Sequence, residues 1–304
     1  MPGMLFAMAA EGFHASRNEH NERGAANHAP LDQAAILGAV REDVRQTLRS
    51  GWIDPALESA ATHPVFFTAA WSAIRPNVGR SFLLLAKALR AEAADTMALA
   101  TPPPDLRKRL DGELGEEEQR RIGEAVRAAH QVTAKVQLVV HGLLRASRRE
   151  RLPGTGREEP PVRRGVPEWQ RWMSFQPPPE ETWPVLEEAS QALKLPALPA
   201  TLRILARWPA ALRGLVDELG SRVRTEAWTS GAQRLRRTVL AGMSGLPHPV
   251  ELQWMALKER GFTEEQRSKL ADILAGHDAA MANHTLVAAF AWLAFGSPEV
   301  GVEG

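Results

Sequence analysis

Glu117-Glu118-Gln119-Arg120, followed by His130, returns as Glu264-Glu265-Gln266-Arg267, followed by His277. In each copy ten residues separate the arginine from the histidine (130 − 120 and 277 − 267), and the copies lie 147 apart (264 − 117). Upstream, His63-Pro64 and Trp208-Pro209 lie 145 apart (209 − 64), each opening an apolar-rich stretch. The likeness therefore spans roughly a hundred residues per copy, too long a period for a solenoid. It predicts a whole subdomain repeated in tandem, an intramolecular pseudo-dimer with its active site between the halves.

Around this repeat the chain divides into a mobile leader (1–29), a first helical repeat (30–147), a linker (148–180), a second repeat (181–296) and a short tail (297–304). The leader is rich in Ala, Asn, His, Glu and Gly without periodicity. Ile36, Leu37, Val40, Val44 and Leu48 then fall on one helical face, and Gly51 ends that helix. Further helices are expected at about 64–74, 79–99 and 117–146. In the second half they are expected at 182–194, 199–207, 209–219, 222–244, 248–259, 263–276 and 279–295. Pro64 and Pro209 suit a first helical turn, where a missing N–H costs nothing. The segment from Arg148 to Glu168, with Gly154, Gly156, Pro160, Pro161 and Pro167, reads as a solvated linker. No segment alternates with the period of a strand, so the fold class is all-α.

Composition narrows the function. Over 304 residues, 37 basic and 36 acidic side chains leave a net charge of +1, too small a field to argue for nucleic acid or a membrane surface. The absence of cysteine excludes disulfides, thiolate nucleophiles, iron–sulfur clusters and cysteine-bound zinc. The N-terminus has no basic region before its short apolar run, and no apolar stretch approaches the roughly 18 residues of a membrane span. A soluble, cytoplasmic protein with a small-molecule partner is expected.

Phosphate loops, nucleophile elbows and paired zinc-binding histidines are missing from the sequence. What remains is positional. His130 and His277 hold equivalent places, each about one turn after an apolar residue, Val126 or Ile273. Each fits either a hydrogen-bonded core histidine or a titratable group in a cleft, lining equivalent sides of one cavity. His277 is favoured for chemistry because Asp278 adds a carboxylate and His284 follows two turns on. No carboxylate stands at a matching helical spacing, so no metal is expected. Trp52, just past Gly51, fits a core cap or a pocket wall.

Glu42-Asp43-Val44-Arg45-Gln46-Thr47-Leu48-Arg49-Ser50-Gly51-Trp52, Ala61-Thr62-His63-Pro64, Leu205-Ala206-Arg207-Trp208-Pro209 and the run from Gly261-Phe262-Thr263 to His277 together resemble the DehI-type, group I 2-haloacid dehalogenases, also called the halocarboxylic acid dehydrogenase family. The likeness covers about residues 34–296. It implies an all-helical pseudo-dimer, often paired into a homodimer, working without a cofactor. It also implies an aspartate general base that activates a water for direct, inverting attack at C2 of either enantiomer. That aspartate follows a serine and stands eight residues before the proline of Trp-Pro, where this chain has Ala200-Thr201. A threonine hydroxyl is too weak a base for this, and losing a general base costs about 10²- to 10⁴-fold in rate. The resemblance further places Gln131 at a family asparagine, His277 at a pocket aromatic, Trp52 at a retained tryptophan and Pro55 at a phenylalanine.

Two functions follow. One is a hydrolase of small 2-substituted carboxylic acids with His277 as the base, Thr201 at the vacated position, and Trp52, Gln131, Ala200 and His130 around the substrate. The other is a cleft that binds a small acid, or serves an interaction partner, without chemistry.

Overall fold

A computed structural model describes residues 33–296 apart from 101, 161, 175–177 and 194–196. The expected leader and tail thus lie outside the described residues. Among those described there are twelve helices and no strand: α1 (Gln33–Leu48), α2 (Pro55–Ala61), α3 (Pro64–Ile74), α4 (Arg80–Ala100), α5 (Leu106–Arg109), α6 (Glu116–Ser147), α7 (Trp183–Leu193), α8 (Ala200–Leu205), α9 (Pro209–Arg222), α10 (Glu226–Met243), α11 (Trp254–Glu259) and α12 (Glu264–Phe295). No helix among them is long and apolar enough to cross a membrane.

The centre is the pair α6 and α12, each 32 residues long and so about 48 Å at 1.5 Å per residue. Both begin in water. Glu116, Glu117 and Glu118 crowd the first turn of α6, where the helix dipole favours negative charge, and the Glu118 carboxylate accepts the Gly115 N–H at 3.1 Å. In α12, Thr263 Oγ1 accepts from Gln266 N (3.2 Å) while Gln266 Oε1 accepts from Thr263 N (2.8 Å), a reciprocal cap. Beyond these turns the sequence becomes apolar all round. Almost every side chain from Ala125 to Ser147 and from Ala280 to Ala291 is buried, as a helix walled in on all sides requires.

The two run antiparallel, and polar rungs fix their register. Arg267 donates to the Ser147 carbonyl at 2.9 Å, His141 Nδ1 meets Asp278 Oδ1 at 3.1 Å, and Thr285 donates to Gln137 at 2.7 Å. Farther along, the His130 and Trp292 rings stack with centroids 4.7 Å apart. Against this pair lie α4 and α10 on one flank and the short helices α2 and α8 on another.

Three expectations are corrected. The helices expected at 263–276 and 279–295 are one continuous α12; Gly276 is the only breaker near the supposed gap, and a single helical glycine costs only about 1 kcal/mol. The segment expected to be helical from 248 starts at Trp254, because Val250 pairs instead with Leu152 in an isolated antiparallel bridge. That bridge also overturns the solvated linker. Thr155 N bonds Leu246 O, Gly156 N bonds Pro247 O, Gly165 N bonds Gln46 O, and Gln170 and Met173 are buried. The segment is exposed on one side and strapped to the helices on the other.

The strap explains Gly51. A Cβ there would stand 2.4 Å from the Gln170 carbonyl oxygen and 2.7 Å from that of Met173. Gly51→Ala should therefore lower the melting temperature, costing on the order of 1–3 kcal/mol. Gly38→Ala, where nothing lies within 4 Å, should raise it slightly; equal effects at both positions would contradict the strap.

Candidate active site

Between α1 and α3 the chain reads Gly51-Trp52-Ile53-Asp54-Pro55. Ser50 fixes the first part: its hydroxyl donates to Trp52 O (2.6 Å) and accepts from Trp52 N (3.2 Å). Asp54 starts α2. Its Oδ1 accepts the Ala56 N–H at 3.0 Å, and Pro55 takes the first helical position, the favoured pairing for a helix start. This short helix was not foreseen, although Asp54-Pro55 is its sequence signal.

An open cleft of ≈ 710 Å³ lies here. Trp52 and Ile53 give it apolar walls, while Arg171 and Arg203 bring positive charge; Arg41 also lines it but is paired with Glu58 at 2.5 Å. Of the residues singled out from sequence, Trp52 and Pro55 are among those lining the cleft. The others stand behind it or elsewhere.

His277 reaches the cleft through Ser59, a lining residue. The Ser59 hydroxyl donates to Pro55 O at 3.0 Å, so its oxygen accepts from His277 Nε2, also at 3.0 Å. This assigns the neutral Nε2–H tautomer. Nδ1 is buried with no hydrogen-bond partner among the described residues, and burial pushes the imidazole below its ordinary pKa. Asp278 does not help it. Successive helical side chains diverge by about 100°, and Asp278 turns to His141 on α6. Two turns on, His284 Nε2 donates to Ala197 O at 3.2 Å, and burial lowers its pKa to about 4.

On α8, Ala200 and Thr201 are buried, and Thr201 Oγ1 has no hydrogen-bond partner among the described residues. Such orphans call for an explanation, since an unpaired buried hydroxyl costs about 1–3 kcal/mol. Arg203, two residues on, is half-buried and lines the cleft. Nothing in the sequence marked it.

His130 does not share this cleft. Its ring lies flat on Trp292, and burial, reinforced by the charge of Arg90, lowers its pKa to about 3. On α6 the level facing His277 is near residue 142, twelve residues away, or about 18 Å along the helix. Gln131, beside it, is buried on the same helix and is not among the lining residues. A turn later Lys135 donates to Leu48 O at 2.8 Å, joining α6 to the end of α1.

No protein-family model matches the chain. An (R)-2-haloacid dehalogenase from Rhizobium sp. (strain NHG3) is 28% identical over 217 residues, which cover 66% of this chain and 80% of that protein. Solved structures of a D-2-haloacid dehalogenase share the fold. Its complex with L-LA matches at a TM-score of 0.75 and 16% identity, covering 85% of this chain and 92% of that one. A mutant in complex with D-2-CPA matches at 0.74 and 17%, covering 85% and 91%. The chain is similar in sequence to a 2-haloacid dehalogenase and shares the fold of others. Trp52 lines the cleft, and Thr201, where the sequence resemblance implies an aspartate, lies buried on α8.

Asp54, which does not itself line the cleft, is the one buried acid among the described residues. It is 3% exposed, and burial lifts its pKa from the ordinary 3.8 to about 6, against the opposing pull of the Ala56 N–H and the Arg203 charge. A folded-state pKa above the unfolded one means that the fold binds the proton more tightly. Stability is therefore lost as pH rises from about 4 through 6, by roughly 2–3 kcal/mol. Asp54→Asn keeps a helix-capping oxygen and cannot ionise. It should melt higher than the native chain at pH 8 and at about the same temperature at pH 4; a lower melting temperature at pH 8 would contradict the buried charge.

Proposed function

We propose that the chain is a 2-haloacid dehalogenase-like hydrolase: it holds a small 2-halo carboxylic acid in the Trp52–Arg203 cleft and replaces the halide by direct attack of water at C2. The observation that carries the reading is Arg203, a half-buried guanidinium that lines the cleft together with Trp52 and Ile53, from the helix that begins Ala200-Thr201. A guanidinium in a partly desolvated site binds a carboxylate by charge-assisted bonds, fixing C2 relative to the walls. The relationship to an (R)-2-haloacid dehalogenase supplies the reaction class.

In this reading Thr201 replaces the family's aspartate. Its unpaired hydroxyl is a donor and acceptor available to substrate or water rather than a base. His277 positions Ser59 and α2. The two halves fit a tandem duplication: α2 and α3 are laid out as α8 and α9 are, a short helix followed by one that opens with proline, and the central helices are equal in length. Thr201 also favours a second reading, in which the cleft binds the acid without turning it over.

Halide release separates the two. Incubation with each enantiomer of 2-chloropropionate should yield chloride and the 2-hydroxy acid, and Arg203→Ala should raise KM about 10- to 100-fold, the value of a charged hydrogen bond. Saturable binding of the acid with no halide released from any 2-haloacid would establish the binding-only role.

A further inference from the structure

The haloacid reading, on which this inference rests, uses one guanidinium of the cleft and leaves a second one idle. We propose that the cleft takes 2-halo dicarboxylic acids: Arg203 on α8 binds the carboxylate next to C2, and Arg171 on the strap binds the carboxylate at the far end of the substrate.

The charge of the lining is one-sided. Arg41, Arg45, Arg171 and Arg203 line the cleft with a single acid, Glu58. Arg41 is paired with Glu58 at 2.5 Å and Arg45 with Glu42 at 2.9 Å, while the guanidiniums of Arg171 and Arg203 have no hydrogen bond or ion pair among the described residues. Asp54 attracts Arg203 without an ion pair between them, and it does not line the cleft. Two uncompensated cations in one concavity concentrate a positive potential there and favour a dianion over a monoanion. Each guanidinium also offers a planar fork that fits a carboxylate. Size points the same way. At ≈ 710 Å³ the cleft falls in the range of sites that take ligands much larger than 2-chloropropionate, which alone would leave most of it to water.

The backbone of Arg171 is fixed, although its side chain is exposed. It ends a 3₁₀ turn, its N–H donating to Glu168 O at 3.0 Å, and the bonds from Gln170 N to Pro167 O and from Met173 N to Gln170 O, both 2.9 Å, hold the residues on either side. The carbonyls of Gln170 and Met173 close on Gly51, next to the cleft wall Trp52. Arg207, just past α8, donates to Trp172 O at 3.4 Å and to Ser174 O, tying this part of the strap to the helix that carries Arg203. The two guanidiniums thus stand on elements bonded to each other, and the apolar Trp52 and Ile53 suit the methylenes that join two carboxylates. In the reaction the water oxygen bonds to C2 as the carbon–halogen bond breaks, and the halide leaves with the bonding pair. One water proton goes to solvent, and the product is a 2-hydroxy dicarboxylic acid.

Halogen-free acids test binding apart from turnover. Succinate, glutarate and adipate are titrated calorimetrically beside butyrate, valerate and hexanoate, which match them in carbon number, into the native chain, Arg171→Gln, Arg163→Gln and Arg203→Gln, each with a melting curve. At least one diacid should bind about 10-fold tighter than its monoacid, the low end for a charged hydrogen bond because Arg171 is exposed. Arg171→Gln should erase that preference while leaving monoacid affinity and melting temperature unchanged. Arg163→Gln, which removes the same charge from an exposed strap residue outside the lining, should keep it. Chloride release, corrected for an enzyme-free blank, should show kcat/KM about 10-fold higher on 2-chlorosuccinate than on 2-chloropropionate in the native chain and no such difference in Arg171→Gln. No preference for any diacid, or one that Arg163→Gln reduces as much as Arg171→Gln does, would overturn the inference and leave the haloacid reading standing. Acid binding indifferent to Arg203→Gln would overturn both. A diacid preference that depends on Arg171, in a chain that releases no halide from either substrate, would support the two-anion site and overturn the haloacid reading.

Discussion

Everything else in the molecule leans on the contact between α6 and α12. A helix buried on every face contributes apolar surface in all directions, and two of them side by side form a core to which shorter elements attach without cores of their own. The register of the pair is not left to hydrophobicity, which is indifferent to sliding. Gln137 with Thr285, His141 with Asp278 and Arg267 with the last carbonyls of α6 each bond correctly in one alignment only. A slip by one turn would bury several of these groups unpaired, at about 1–3 kcal/mol each. Specificity of this kind is inherited by the cleft, because α2 and α8, which carry Asp54 and Arg203, are positioned against that frame.

The frame also explains why an acid can be kept where solvent is scarce. Burying a carboxylate near an arginine without a direct ion pair leaves it short of compensation, and its raised pKa reports that shortfall. The fold gives up stability at neutral pH to hold the group. Among the described residues the other carboxylates stay at or near the surface, many of them in ion pairs such as Arg145 with Glu150 and Arg213 with Glu188.

Much of the fold was legible in the sequence because it rests on local rules. Periodicity placed α3, α4, α6 and α9, and the absence of period-2 alternation excluded a sheet. The errors fall where tertiary contacts decide. Glycine and proline between 148 and 167 signal an irregular path but say nothing of its hydrogen-bonding to residues near 46 and 246. The repeated histidines were read as lining equivalent sides of one cavity, yet antiparallel packing sends them to different stretches of the central pair. Asp54 and Arg203 could not be singled out from sequence, since their significance is burial and mutual proximity across about 150 residues of chain. The dipeptide Asp54-Pro55 announced a helix start. That its carboxylate is shielded from water is a property of the packed bundle.

The central claim is that water, and not a carboxylate of the protein, attacks C2 of the haloacid. A single turnover of 2-chloropropionate in H₂¹⁸O, with enzyme in excess, tests this most directly. The account predicts that the first 2-hydroxy acid formed carries one ¹⁸O and that no peptide of the protein carries any. Unlabelled product together with ¹⁸O in a carboxylate of the protein would mean that an ester forms between enzyme and substrate, and would contradict it.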